Sequence, residues 1–138
     1  NLHLESSYST VYAVDEIGNP LPRIPHRRVN TFFKFEFTNN AKVKLKNIVL
    51  QHQYYFQQNR IAQFETTSNS YNLVNLGINL EAGFRIPLEL GIGIKNVFNE
   101  DYIDHLSRLK TLGLSNPGRN YYVNLIIKFS KSNKKQKL

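Results

Sequence analysis

Between Leu88 and Phe129 the chain alternates apolar with polar or small residues in two runs, separated by a polar loop. In the first run Leu88, Leu90, Ile92 and Ile94 take one face and Glu89, Gly91, Gly93 and Lys95 the other, because successive side chains of a strand point to opposite sides. In the second, Tyr121, Val123, Leu125, Ile127 and Phe129 oppose Tyr122, Asn124, Ile126 and Lys128. A period of two is a strand signal, and a helix would scatter these residues around its axis. Each strand so formed carries an unbroken apolar face, which must be covered by a second layer of protein or by lipid.

The same period recurs upstream. Asn1 to Ala13 sets Leu2, Leu4, Ser6, Tyr8, Thr10 and Tyr12 against His3, Glu5, Ser7, Ser9 and Val11. Thr31 to Thr38 sets Phe33, Phe35 and Phe37 against Lys34 and Glu36. Val43 to Phe56 begins the same way, but its apolar phase shifts at Asn47-Ile48-Val49-Leu50, as one extra residue in a strand, or a strand buried on both sides, would make it do. Ser70 to Phe84 sets Val74, Leu76, Ile78, Leu80 and Ala82 against Asn75, Gly77, Asn79 and Glu81. Six strands result.

Their connections alternate in length. Gly18, Pro20, Pro22 and Pro25 exclude Val14 to Asn30 from a ladder, and Gln57 to Asn69 and Asn99 to Arg119 are polar. Asn39-Asn40-Ala41-Lys42 and Arg85-Ile86-Pro87 read as tight turns. Long loops on one rim and short turns on the other are the arrangement of an antiparallel barrel.

Composition narrows the class. The absence of cysteine excludes disulfides and thiolate metal sites. No apolar run reaches about 18 residues, so no transmembrane helix is present, while barrel strands need no such run. The chain has no methionine and opens inside a strand, so it is expected to be a piece of a larger polypeptide. Of the formal charge of +8, four lysines (Lys131, Lys134, Lys135, Lys137) fall in the tail 130–138, which leaves 8 − 4 = +4 for the rest. Such a tail reads as a solvated end. Nucleic acid is not an expected partner, because the aromatics share the apolar face without interleaved lysines. Neither a nucleophile elbow nor a phosphate-cradling loop is found. The chain therefore reads as non-enzymatic, with no cofactor.

Several words of the sequence add a specific signal. Asn96-Val97-Phe98-Asn99-Glu100-Asp101-Tyr102 is followed by Asp104-His105-Leu106-Ser107-Arg108-Leu109-Lys110, then by Asn116-Pro117-Gly118-Arg119-Asn120 and an alternating strand to an aromatic residue. Upstream stand Gly18-Asn19-Pro20-Leu21-Pro22-Arg23-Ile24-Pro25-His26-Arg27-Arg28 and Gln58-Asn59-Arg60-Ile61-Ala62-Gln63-Phe64-Glu65. In this order and spacing they resemble the C-terminal end of TonB-dependent outer-membrane receptors. The resemblance implies an all-β fold, an antiparallel transmembrane β-barrel segment that supplies the last six strands of a 22-stranded barrel. Residues 1–129 would be barrel wall, and 130–138 a basic periplasmic tail. It further implies a Gram-negative outer membrane, active import of a scarce solute such as a ferric siderophore or another metal chelate, and four partners: the plug and earlier strands of the receptor, the TonB energy-coupling complex, the barrel assembly machinery and outer-membrane lipid. Tyr121, Val123, Leu125, Ile127 and Phe129 would form the barrel assembly signal, although nine residues follow Phe129 where family members usually stop.

The long loops would then face outward and carry the ligand vestibule. Arg23, His26, Arg27, Arg60, His105 and Arg108 are its candidates, because guanidinium groups pair bidentately with carboxylates and phosphates and imidazoles ligate metals. Arg108 and Arg119 serve equally well as ties between a loop and the wall or lipid phosphates. The four histidines show no metal-ligand spacing and read most simply as isolated, so the identity of any metal stays open. Two other classes fit the bare pattern: a passive porin or adhesin barrel, and a soluble β-sandwich binding module.

Overall fold

The computed structural model describes residues 1–38, 41–83 and 86–129. Six strands, β1 (Leu2–Ser9), β2 (Arg28–Glu36), β3 (Val43–Tyr55), β4 (Tyr71–Ala82), β5 (Leu88–Lys95) and β6 (Asn120–Ile127), form one antiparallel sheet in sequence order. The sheet is not closed. A single 3-10 turn at Lys110–Leu112 is the one helical element among the described residues. The turn residues Asn39, Asn40 and Arg85, with Phe84 and the tail 130–138, lie outside the described residues.

Register turns six alternating sequences into two continuous faces. Directly paired residues share a face, so Leu4↔Phe33, Phe33↔Leu50, Leu50↔Leu76, Leu76↔Ile94 and Ile94↔Tyr121 make one apolar row across all six strands. A second row runs Leu2, Phe35, Ile48, Ile78, Ile92 and Val123. No second layer covers these rows among the described residues, so Leu4 and Val123 stand 63% and 68% exposed. A soluble sandwich would bury this face against another sheet. The strands run from 8 to 13 residues, which brackets the roughly 9–11 that a strand tilted across a bilayer needs.

The opposite face is polar and satisfies itself laterally. Gln51 Nε2 donates to Asn30 Oδ1 at 2.8 Å, Asn75 Nδ2 donates to Gln51 Oε1 at 2.8 Å, and Asn79 Nδ2 donates to Asn47 Oδ1 at 2.7 Å. Near the short turns Lys46 and Lys128 both reach Glu89 Oε1, at 3.2 and 2.5 Å. Glycine appears on this face where an aromatic ring needs the space: a Cβ on Gly93 would stand 2.4 Å from the Tyr122 ring, and one on Gly77 would stand 2.9 Å from its hydroxyl. Tyr122 lies across both.

The phase shift in β3 is a bulge. Leu45 pairs with Leu80 but Asn47 pairs with Asn79, so Lys46 is the extra residue, and its ammonium turns to the polar face. Several expected boundaries move: β2 begins at Arg28, so Arg28 to Asn30 join the ladder from which the first long loop was expected to be excluded, and it ends at Glu36, short of Thr38. The strand expected to run to Ala13 ends at Ser9, because its partner β2 begins at Arg28 and leaves residues beyond Ser9 unpaired. The strand expected to close on Phe129 ends at Ile127, paired with Leu88, the first residue of β5. Phe129 lies past the ladder and is 81% exposed.

Candidate functional site

The connections 10–27, 56–70 and 96–119 leave the same end of the sheet, and they fold onto one another. Gln58 joins the first two: its Nε2 donates to the carbonyls of Ile24 and Pro25 at 3.0 and 3.2 Å, while its backbone bridges Ser68. Glu65 does the same through its carboxylate, accepting the Arg23 amide at 2.7 Å and the Ala62 amide at 3.0 Å. Burial opposes the charge on Glu65, yet these amides and the nearby His105 and Lys110 hold its carboxyl below the usual value.

The third loop is locked by two histidines expected to be isolated. His26 and His105 are buried with ring centroids 5.8 Å apart. The His105 backbone N–H donates to His26 Nε2 at 3.2 Å, so that nitrogen is an acceptor and Nδ1 carries the proton, donated to Phe56 O at 2.6 Å. His26 is therefore the neutral Nδ1–H tautomer, held across the first two loops while it receives the third. Its ring stands edge-on to Tyr71 at 5.4 Å, which stacks on Tyr55 at 4.4 Å and tilts against Tyr102 at 4.5 Å. Tyr71 Oη donates to Asp104 Oδ2 at 2.8 Å, tying β4 to the third loop.

His105 is equally occupied. Its Nδ1 lies 2.9 Å from Ser68 Oγ and 3.0 Å from Lys110 Nζ, and Lys110 also bonds Thr66 O. An ammonium only donates, so His105 Nδ1 accepts and Nε2 bears the proton. That Nε2–H is buried without a hydrogen-bond partner among the described residues, 3.9 Å from Glu65 Oε2. Burial, the Lys110 charge and His26 push the imidazole toward its neutral form, against Glu65 and Asp104. Burial likewise lowers the Lys110 ammonium.

Beside this junction lies an open groove of about 720 Å³, lined by Arg23, Phe64, Glu65, Thr66, His105, Leu106, Ser107, Arg108, Lys110 and Thr111. The structure thus brings Arg23, His105 and Arg108 together. Arg23 (φ 61°) and Phe64 (φ 68°) sit in the left-handed region, where side chains of this kind rarely go without a fixed turn. The Arg23 and Arg108 guanidiniums have no ion-pair or hydrogen-bond partner among the described residues, whereas Glu65 is engaged by amides. Arg23, Arg108 and Lys110 outnumber Glu65 in the lining, so the groove is net positive.

The other candidates stand elsewhere. His26 lies behind the groove with both nitrogens engaged. Arg27 sits over the Phe56 ring at 5.4 Å and Arg60 over the Tyr12 ring at 3.4 Å. Arg119 joins the two ends of the third loop, with its Nε donating to Val97 O at 2.9 Å. Tyr121, Val123, Leu125 and Ile127 line the apolar face of β6, the last strand of the sheet. No group of three or more His, Asp or Glu residues able to hold a metal is found among the described residues. Glu65 and Lys110 were missed as site residues, although each closes a quoted motif segment, and that was the signal available.

No family model matches the chain, and no curated protein matches it. Among solved structures the fold is similar to the copper transporter OprC, with a TM-score of 0.72 and 18% identity, over 91% of this chain and 20% of that one. The chain spans about a fifth of that transporter's length. At this identity the likeness concerns architecture: six antiparallel strands in one open sheet, a segment of β-barrel wall.

Proposed function

We propose that the chain forms wall and outer-rim loops of a TonB-dependent outer-membrane receptor that imports a scarce metal chelate, such as a ferric siderophore or a comparable anionic complex. The observation that carries this reading is the sheet itself. One face carries two apolar rows across all six strands, the other is a hydrogen-bonded polar lattice, and the long loops gather at one end. Lipid suits the first face and an aqueous lumen the second. The resemblance of the loop motifs supports the receptor class, and the copper transporter of similar architecture supports a metal-bearing cargo. The guanidiniums of Arg23 and Arg108, unpartnered among the described residues, favour a cargo with net negative charge.

Within the whole receptor this segment would pair with earlier strands and enclose the plug. The TonB complex would supply energy, and the barrel assembly machinery would insert the chain. The test is uptake of a radiolabelled ferric chelate by cells that express the whole polypeptide, alongside fractionation of their membranes. The reading expects recovery in the outer membrane, uptake that stops when the energy-coupling complex is deleted, and a raised half-saturation concentration for Arg23→Ala with Arg108→Ala. Recovery in the soluble fraction would overturn the membrane reading, and uptake indifferent to the coupling complex would favour a passive porin.

A further inference from the structure

The apolar face changes character toward the long loops. From Leu2 and Phe35 up to Leu4 and Phe33 it is aliphatic or phenylalanine, a polar row of Ser6, Thr31 and His52 follows, and at Tyr8↔Val29 and Val29↔Tyr54 it becomes tyrosine. The ladder then gains one more pair, because Phe56 N donates to Arg27 O at 2.9 Å. Two-residue alternation keeps Arg27 and Phe56 on the same face as Val29 and Tyr54. The Phe56 ring meets Tyr54 edge-on at 4.7 Å and Tyr8 at 6.3 Å, and the Arg27 guanidinium lies 5.4 Å over it. Apolar wall, polar row, aromatic belt and cation follow one another along the strand direction.

We propose that Arg27, braced on Phe56 within this tyrosine belt, binds the phosphate of an outer-leaflet lipid headgroup. The proposal rests on the membrane reading given above and adds a lipid site to it. Arg27 is exposed and forms no ion pair among the described residues, so its charge is available. A guanidinium held over a ring and free of other hydrogen bonds among the described residues can offer two N–H groups to two phosphate oxygens, and loses little rotamer freedom on binding. Aromatic side chains with a polar end are suited to the headgroup level of a bilayer. The Arg60 guanidinium over Tyr12 repeats the device in the adjoining loops.

The test uses the detergent-purified polypeptide and follows its thermal midpoint as diphosphoryl lipid A, or lipid A stripped of phosphate, is added to the micelles. The proposal expects a rise with the phosphorylated lipid alone, lost in Arg27→Ala, partly kept in Arg27→Lys, and unchanged in the distant Lys44→Ala. An equal rise for Arg27→Ala, or for the phosphate-free lipid, overturns it. An equal rise from inorganic phosphate also overturns it, in favour of a soluble anion site. A protein that stays dispersed without detergent contradicts the membrane reading instead, and that is measured separately on the unliganded sample.

Discussion

Asn99 and Arg119 hold each other at both ends of the longest loop. Asn99 Oδ1 accepts the Arg119 backbone N–H at 2.8 Å, and Arg119 Nε donates to the carbonyl of Val97 at 2.9 Å. Asn99 sits at φ 57°, in the left-handed region that asparagine tolerates better than most side chains. Asn96, at φ 52°, closes the same turn by exchanging hydrogen bonds with Glu100, and its own amide reaches Asn75 on the polar lattice. Two sequence motifs 20 residues apart are thus halves of one clasp at the root of the loop.

Gly118 completes the clasp by having no side chain. A Cβ there would lie 2.6 Å from Asn99 Oδ1. Gly118→Ala and Asn99→Ala should therefore break the same hydrogen bond, each costing about 0.5–1.5 kcal/mol, and the double variant should cost clearly less than their sum. Hydrogen exchange at the Arg119 amide is the measurement, and strict additivity would count against a shared contact.

The Gly93–Tyr122 contact makes a second prediction. Gly93→Ala forces the Tyr122 ring aside, at a cost of about 1–3 kcal/mol for overpacking. Tyr122→Ala should remove most of that penalty when combined with it. The readout is the denaturant midpoint of the purified barrel.

Acidification should loosen the loop cap through His105. Its folded-state pKa lies below the unfolded value of about 6.5, so the unfolded loops bind the proton more readily and stability rises with pH in that interval. The contribution is present above about pH 6.5 and is lost as pH falls through the depressed folded value. Exchange in segments 56–70 and 96–119, corrected for intrinsic rates, should quicken over that range, and His105→Gln should flatten the response. Glu65, whose folded pKa is also depressed, titrates at lower pH and is lost only as pH falls below its ordinary carboxylate range.

The ladder was legible because its side chains obey a period. Phe33, Leu50, Leu76 and Ile94 each alternate with a polar neighbour, and even the bulge at Lys46 announced itself as a phase change. The loop cap was not legible in that way. His26 meets His105 and Arg23 meets Glu65 across 79 and 42 residues, and no local pattern encodes such a meeting. The left-handed backbone at Arg23 and Phe64 runs against residue preference, so it could not be foreseen from type. Strand ends likewise depended on where the neighbouring strand began, as at Ser9 and Ile127.

The absence of cysteine from the sequence allows a direct test of which face meets lipid. Val123 and Asn124 are adjacent on β6 and point to opposite faces of the sheet. Val123→Cys and Asn124→Cys, each the only thiol from this segment, would be exposed to a membrane-impermeant maleimide in isolated outer membranes and again after denaturation. The account predicts that Asn124→Cys labels before denaturation and Val123→Cys only after it. Prompt labelling of Val123→Cys, with or without Asn124→Cys, would contradict a lipid-facing apolar wall.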